Sequence, residues 1–335
     1  MLTRRTLLAL AAAAGSTAAL RPRSLAAQSL RKLRVIAFPG GGNGWPIWAA
    51  QRQGFFAREG LDVELTPTPG SVYQMTHLIG GDFDIAHTAM DNIVAYSEGA
   101  GEVAVEGDTS LIAVMGGDNG FLHVLSRPQY PRYEDLRGKR LGVDALTTGF
   151  AFVLRKVLDL NGLHAGDYQL VAAGAGQRRF QALVNSELDA TISSTPFDVQ
   201  GEAAGLHVFG AASDVLGGYQ GYVAATKRSW AAQNADLLEA YIRAYVRGLG
   251  WLYDPAQRDA AAALLVENGK MSDAVARKVA AIMVNPNGGY APRAEISIAG
   301  VRTVIALRRQ YGAASTSFGE PARYVDLRYY AKALG

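Results

Sequence analysis

The sequence predicts an α/β protein of two lobes, each a mostly parallel sheet flanked by helices. Three observations carry this. The chain has 335 residues, enough for two domains with sizeable cores. Its composition, 49% hydrophobic and 19% charged, is that of a globular protein. A unit that alternates strand and helix occurs twice along it, and this alternation implies parallel strands joined by right-handed crossovers.

The first copy opens with the apolar strand pattern Arg34–Phe38. A glycine loop follows, then a helical stretch from Pro46 to about Phe56, then a second strand over Gly60–Leu65. A helix then ends near Leu78–Ile79, a third strand covers Gly80–Ala86, and Thr88–Asp91 begins another helix. The second copy repeats the order. Leu141–Val143 is a strand, Thr147-Thr148-Gly149 opens a helix running to about Asn161, and Tyr168–Val171 is the next strand. Gln177–Val184 reads as a helix, Asn185–Thr191 leads through the third strand, and Ser193–Pro196 stands where Thr88–Asp91 stood. Two such lobes side by side leave a cleft at the carboxyl ends of their strands, where open α/β sheets bind ligands.

The remainder is helical and clads the first lobe. Asp236–Tyr253 has apolar residues at helical spacing, and Asp254-Pro255 ends it. Further helices fit Gln257–Val266, Ser272–Val284 and Arg293–Tyr311.

Residues 1–26 read as an export signal. Arg4-Arg5 precede an apolar run from Leu7 to Leu20, too short to span a membrane, and Ser24-Leu25-Ala26 offers a cleavage site. The paired arginines, with Arg21 and Arg23 beyond the run, fit a twin-arginine route; a general secretory signal is the alternative. This segment carries four arginines and no acid, so its removal takes the formal net charge from +3 to −1. The basicity of the whole chain therefore gives no reason to expect a nucleic-acid partner. There is no cysteine, which excludes disulfides, thiolate nucleophiles, thiolate metal sites and a lipid-modified N-terminal cysteine. The expected location is a periplasm, without a lipid anchor.

The loop Gly40-Gly41-Gly42-Asn43-Gly44-Trp45 fails both nucleotide patterns. No Lys-Ser/Thr follows it, and Ile47 stands where a dinucleotide fingerprint needs its third glycine. Gly42, Asn43 and Gly44 can instead bring backbone N–H groups to a ligand at a helix start, and Trp45 either stacks on a flat ligand or packs in the core. Thr147, Thr148 and Gly149 are the matching junction in the second lobe. Their hydroxyls and helix start suit a carboxylate or sulfonate, or else form an ordinary cap. Thr88, Met90 and Asp91 sit at the exit of the first lobe's third strand, and Thr195 and Phe197 at the equivalent exit in the second. Asp91 caps a helix or accepts from a ligand N–H; Asp118 does the same or makes a turn. Tyr219 stacks on a ligand or packs at a crossing. The five histidines show no metal-ligand spacing, and the serines lie in no G-x-S-x-G, so no catalytic residue, metal or cofactor is expected.

Three segments resemble a known family: AAQRQGFFAREGLDVEL, LIGGDFDIAHTAMDNIVAY, and YEDLRGKRLGV followed by TTGFAFVLRKVLDLNGL. Over about residues 32–330 the chain is similar to periplasmic substrate-binding proteins of ABC importers, in the branch that serves nitrate, sulfonates, taurine and thiamine-pyrimidine precursors. The resemblance implies the type II-like two-lobed periplasmic binding protein fold. On that fold, 32–117 with 218–335 would form lobe one and 118–217 lobe two, with crossings near Gly116–Leu125 and Val208–Tyr222. It further implies a monomer whose partners are a small organic ligand and an inner-membrane permease. The aromatics favour an aromatic or heterocyclic compound, a sulfonate or a carboxylate over nitrate. Two other classes stand beside transport: an enzyme on the same fold, and a ligand-sensing partner of a membrane receptor. The pyrimidine synthases and aryl sulfinate desulfinases of this fold use cysteines that this chain lacks.

Overall fold

The computed structural model describes residues 29–40, 42–285 and 287–335. The expected export signal lies outside them, as does Gly41 of the glycine loop.

Among the described residues, ten strands form two five-stranded sheets. The first holds β1 (Arg31–Ala37), β2 (Leu61–Pro67), β3 (Ile85–Ala89), β4 (Leu111–Gly116) and β10 (Tyr222–Lys227), in the order β2-β1-β3-β10-β4. The second holds β5 (Leu122–Ser126), β6 (Arg140–Val143), β7 (Gln169–Ala172), β8 (Ala190–Ser194) and β9 (His207–Ala211), in the order β7-β6-β8-β5-β9. Both sheets are the same design. In the first, β1 runs parallel to β2 and β3, with Arg31 beside Leu61 and Val35 beside Ile85, and β10 is antiparallel to β3 and β4. In the second, β6 runs parallel to β7 and β8, and β5 is antiparallel to β8 and β9. The single antiparallel strand of each sheet is the one supplied by a crossing of the chain. The chain leaves the first sheet after β4, enters the second at β5, and returns between β9 and β10.

Burial follows from this arrangement. Strands β3 and β4 are buried along their whole length; β4 reads as an unbroken apolar run, as strands covered on both faces do, while β3 buries His87 and Thr88 among its apolar residues. The helix Ala235–Tyr253 buries Leu238, Tyr241, Ile242, Tyr245, Leu249 and Leu252, the stripe of an amphipathic helix laid on the first sheet.

Several boundaries differ from the sequence expectation. The stretch after Pro46 is two helices, Trp45–Arg52 and Phe55–Arg58, because Gly54 takes φ 66° between them. The expected helix Arg293–Tyr311 begins at Ile298, where Ser297 caps the Gly300 N–H; the preceding segment is held out of the helix with Ala294 at φ 59°. Strands β4, β5, β9 and β10 are not read as strands in the sequence, and the helices Pro321–Tyr324 and Arg328–Leu334 have no counterpart there.

Among the described residues, no helix is long and apolar enough to cross a membrane.

Candidate functional site

The carboxyl ends of β1, β2 and β3 face those of β6, β7 and β8 across a narrow cleft, and the two halves touch along its rims. The Ser71 N–H donates to Asp144 Oδ2 at 3.0 Å, and the Ala175 N–H to the Pro69 carbonyl at 3.1 Å. On another rim Thr147 N–H donates to Glu102 Oε2 at 2.8 Å, and Tyr311 donates to Asp159 Oδ2 at 2.6 Å.

Between the rims lies a cavity of two adjoining parts, of about 20 and 10 Å³, closed down to room for about one water molecule in each. Both parts are lined by Phe38, Gly176, Arg179 and Tyr222. The first adds Ser71, Asn92, Asp144, Thr148, Gly149 and Phe150; the second adds Asn43, Ser194, Thr195 and Phe197. Phe38 and Phe150 pack on either side of Tyr222, with ring centroids 5.7 and 5.6 Å from it. Burial first, then the Asp118 charge, pushes the Tyr222 hydroxyl well above the usual tyrosine range, so it remains a neutral donor.

Arg179 is the unusual group. It is 3% exposed, yet no carboxylate lies within ion-pair reach of it among the described residues. It stands in the first turn of the helix Gly176–Val184, on the face it shares with buried Phe180 and Leu183. Its Nε and Nη2 donate to the Ile192 carbonyl at 3.2 and 3.1 Å, and Nη1 donates to the Gly174 carbonyl. These bonds fix the guanidinium plane and leave two of its five N–H groups. Burial lowers its pKa from the ordinary arginine value, opposed by the nearby Asp144 charge, but arginine stays charged. Beside it, the first turn of the same helix points N–H groups without intrahelical acceptors at the cavity. Ser193 Oγ is buried and without a hydrogen-bond partner among the described residues, and it lies 3.2 Å from where a Cβ on Gly176 would sit. A fixed cation, a helix start and a free hydroxyl are groups of the kind that an anion can use.

Six sequence-predicted residues reach this cavity: Gly42, Asn43, Thr148, Gly149, Thr195 and Phe197. The others lie elsewhere. Trp45 is fully buried in the core of the first lobe, where Nε1 donates to the Ala261 carbonyl at 2.9 Å; its ring is committed to packing and is not offered to the cleft. Gly44 packs under the Trp48 ring. Met90 is core, and Thr88 accepts from Asn92 Nδ2 at 2.9 Å. Asp91 is bound by Arg308 and has no room for a ligand. Thr147 is held by Glu102 on the rim, so the helix start expected to take an anion is already occupied on its outer side. Asp118 and Tyr219 belong to the crossings. Asp118 Oδ1 accepts from the N–H groups of Gly120, at 2.7 Å, and Tyr222, at 3.3 Å. Tyr219 packs against Gly120 of the other crossing. Sequence reasoning missed Phe38, Asp144, Phe150, Arg179, Ser193 and Tyr222. Arg179 had a signal, since an arginine four residues before Leu183 falls on the apolar face of its helix.

A family profile described as NMT1/THI5 like matches residues 42–258. The chain belongs to the NMT1/THI5-like family. The matched span includes every cavity-lining residue named above except Phe38. No curated protein sequence matches the chain. Solved structures do match in fold. A protein from Bordetella bronchiseptica RB50 aligns with a TM-score of 0.74 at 21% identity, over 90% of this chain and 96% of that one. The periplasmic nitrate-binding protein NrtA from Synechocystis PCC 6803 aligns with a TM-score of 0.77 at 12% identity, over 91% and 88%. The alkanesulfonate-binding protein SsuA from Xanthomonas axonopodis pv. citri, bound to MOPS, aligns with a TM-score of 0.68 at 15% identity, over 84% and 92%. The fold of this NMT1/THI5-like chain is thus the two-lobed periplasmic binding protein fold.

Proposed function

We propose that this protein is a periplasmic solute-binding protein of an ABC importer, which captures a small organic acid between its lobes and delivers it to a membrane permease. The carrying observation is Arg179, a buried cation without an ion-pair partner among the described residues, set at a helix start on the wall of an aromatic-lined cavity. Burying an unpaired charge is costly, and an anionic ligand group offsets that cost. Phe38, Phe150 and Tyr222 supply the apolar walls that favour a flat organic body over a bare inorganic ion.

Residues 32–117 with 218–335 serve as one lobe and 118–217 as the other, turning about the two crossings. Closure is ligand-driven because only the closed form brings residues of both lobes to one molecule. The export-signal pattern expected from the sequence of residues 1–26 and the structural likeness to nitrate- and sulfonate-binding proteins support the location and the importer partner.

The test is a thermal-shift and mass-spectrometry screen of the mature protein against sulfonates, aromatic carboxylates and pyrimidines. The reading expects an acid to raise the melting temperature and to be recovered chemically unchanged. Turnover of the bound compound, or stabilisation by neutral pyrimidines alone, would overturn it.

A further inference from the structure

The cavity holds a second group that the capture of a simple acid does not use. Asp144 follows β6 directly and lines the same part of the cavity as Arg179, Phe38 and Phe150. Its Oδ2 accepts the Ser71 N–H at 3.0 Å, across the cleft. Its Oδ1 is buried and has no hydrogen-bond partner among the described residues. A carboxylate oxygen shut away from water in this state costs free energy unless a donor reaches it. Arg179 does not supply that donor, because its Nη1 is turned to the Gly174 carbonyl and its Nε and Nη2 to Ile192. The site therefore presents a fixed cation and an under-used anion to one small volume.

The two are close. Strands β6 and β7 are neighbours, with Val143 beside Ala172, and the Gly174 N–H bonds back to the Asp144 carbonyl at 3.1 Å. Asp144 Oδ1, Gly174 Cα and Ala175 N all lie within 4 Å of the point where a Cβ on Gly70 would sit, so the carboxylate stands beside the loop that leads into the Gly176 helix.

Building on the reading of an acid-binding cleft, we propose that the ligand is an amphoteric aromatic or heteroaromatic acid. Its acid group sits against Arg179, Ser193 and the Gly176 helix start, and an N–H donor on the same ring system bonds Asp144 Oδ1. A simple acid leaves Asp144 Oδ1 unsatisfied on closure, so the closed form discriminates against it. Sites that bury a hydrogen-bonding group reject analogues that cannot pair with it far more strongly than apolar sites reject a changed shape. Asp144 is then a specificity-determining residue, and its bond to Ser71 makes its position dependent on closure.

The probes are benzoate, benzenesulfonate, aniline and the three aminobenzoates, with affinities measured by calorimetry on the mature protein. At least one aminobenzoate should bind about tenfold or more tightly than benzoate, the effect of one hydrogen bond to a charged acceptor. The isomer that does so reads out the spacing between the two groups. In Asp144→Ala the affinities of that isomer and benzoate should converge. Benzoate binding as tightly as every aminobenzoate to the unsubstituted protein overturns the Asp144 proposal and leaves the acid-binding reading standing. Aniline binding as tightly as the aminobenzoates, or no probe binding at all, overturns that reading and the proposal with it.

Discussion

Arg308 grips Asp91 with two hydrogen bonds, Nε to Oδ1 at 2.6 Å and Nη2 to Oδ2 at 2.9 Å, and both side chains are 2% exposed or less. Nη2 also donates to the Thr147 carbonyl at 2.7 Å, at the start of the helix Gly149–Leu160 in the opposite lobe. One ion pair thus serves the core of the first lobe and the closed contact with the second.

Breaking that pair from one side strands a buried charge. Arg308→Ala should destabilise the protein by about 3–5 kcal/mol in urea unfolding. The paired change Asp91→Leu with Arg308→Met removes both charges and should recover most of that loss. It should not recover ligand affinity in full, because the bond to Thr147 is gone. Equal affinity in the paired variant and the unsubstituted protein would show that this rim contact does not contribute to closure.

Gly149 allows the same contact. A Cβ there would lie 2.4 Å from Asp91 Cβ and 2.5 Å from Cγ. Glycine to alanine in a helix is ordinarily stabilising by about 1 kcal/mol. Gly149→Ala should keep or slightly raise the stability of the open form while lowering ligand affinity by about tenfold or more, since closure then forces an overlap. Scattering on ligand-saturated samples should give a larger radius of gyration for the variant. An unchanged radius and affinity would contradict the account.

Asp118 makes stability depend on pH. Burial pushes its carboxyl up to about 7, against the two backbone N–H groups that favour the charged form. A raised carboxyl pKa means that the folded state holds its proton more tightly than the unfolded one. The stability tied to that proton is complete below about pH 4 and is lost as pH rises through about 7. Asp118→Asn keeps an acceptor for Gly120 and Tyr222, so it should flatten this limb and be more stable than the unsubstituted protein at pH 8, by a few kcal/mol at most. A variant that is less stable at pH 8 would mean that the ionised carboxylate is favoured in place.

His87 acts on the opposite limb. It is fully buried, its Nε2 lies 2.8 Å from the Tyr241 hydroxyl, and burial lowers its pKa to about 3. A depressed histidine pKa gives stability that is present above about pH 6.5 and is lost as pH falls towards 3. His87→Gln should therefore show a shallower loss of melting temperature between pH 6 and pH 4. An unchanged acid limb would place its cause in the carboxylates.

The two-lobed order is legible in the sequence because it rests on local signals. The apolar strand runs, the loops and the helix starts recur in the same order, and the resemblance covers the same segments. Strands β4, β5, β9 and β10 escape because they lie outside the repeated strand–helix unit that carries the reading. The site is less legible, because which face of a loop meets the cleft is decided by packing between distant segments. Trp45 looks like a ligand platform until the helix Arg258–Gly269 brings the Ala261 carbonyl to its indole N–H. Asp91 looks available until Arg308 arrives from 217 residues away. Phe38 and Tyr222 face each other only because β1 and β10 flank β3 in one sheet.

The central claim is that Arg179 holds the acid group of the ligand. The direct measurement is the affinity of the unsubstituted protein and of Arg179→Met for benzoate, benzenesulfonate and the aminobenzoates, with the melting temperature of each protein alone. Arg179→Met gives up three hydrogen bonds to the Gly174 and Ile192 carbonyls and the charge beside Asp144, so it should lower the melting temperature of the protein alone. The account predicts that Arg179→Met, measured at a temperature where it is folded, loses about a hundredfold or more in affinity for the acids that bind, a loss beyond what its lower melting temperature explains. A folded Arg179→Met protein that binds those acids as tightly as the unsubstituted one would contradict it.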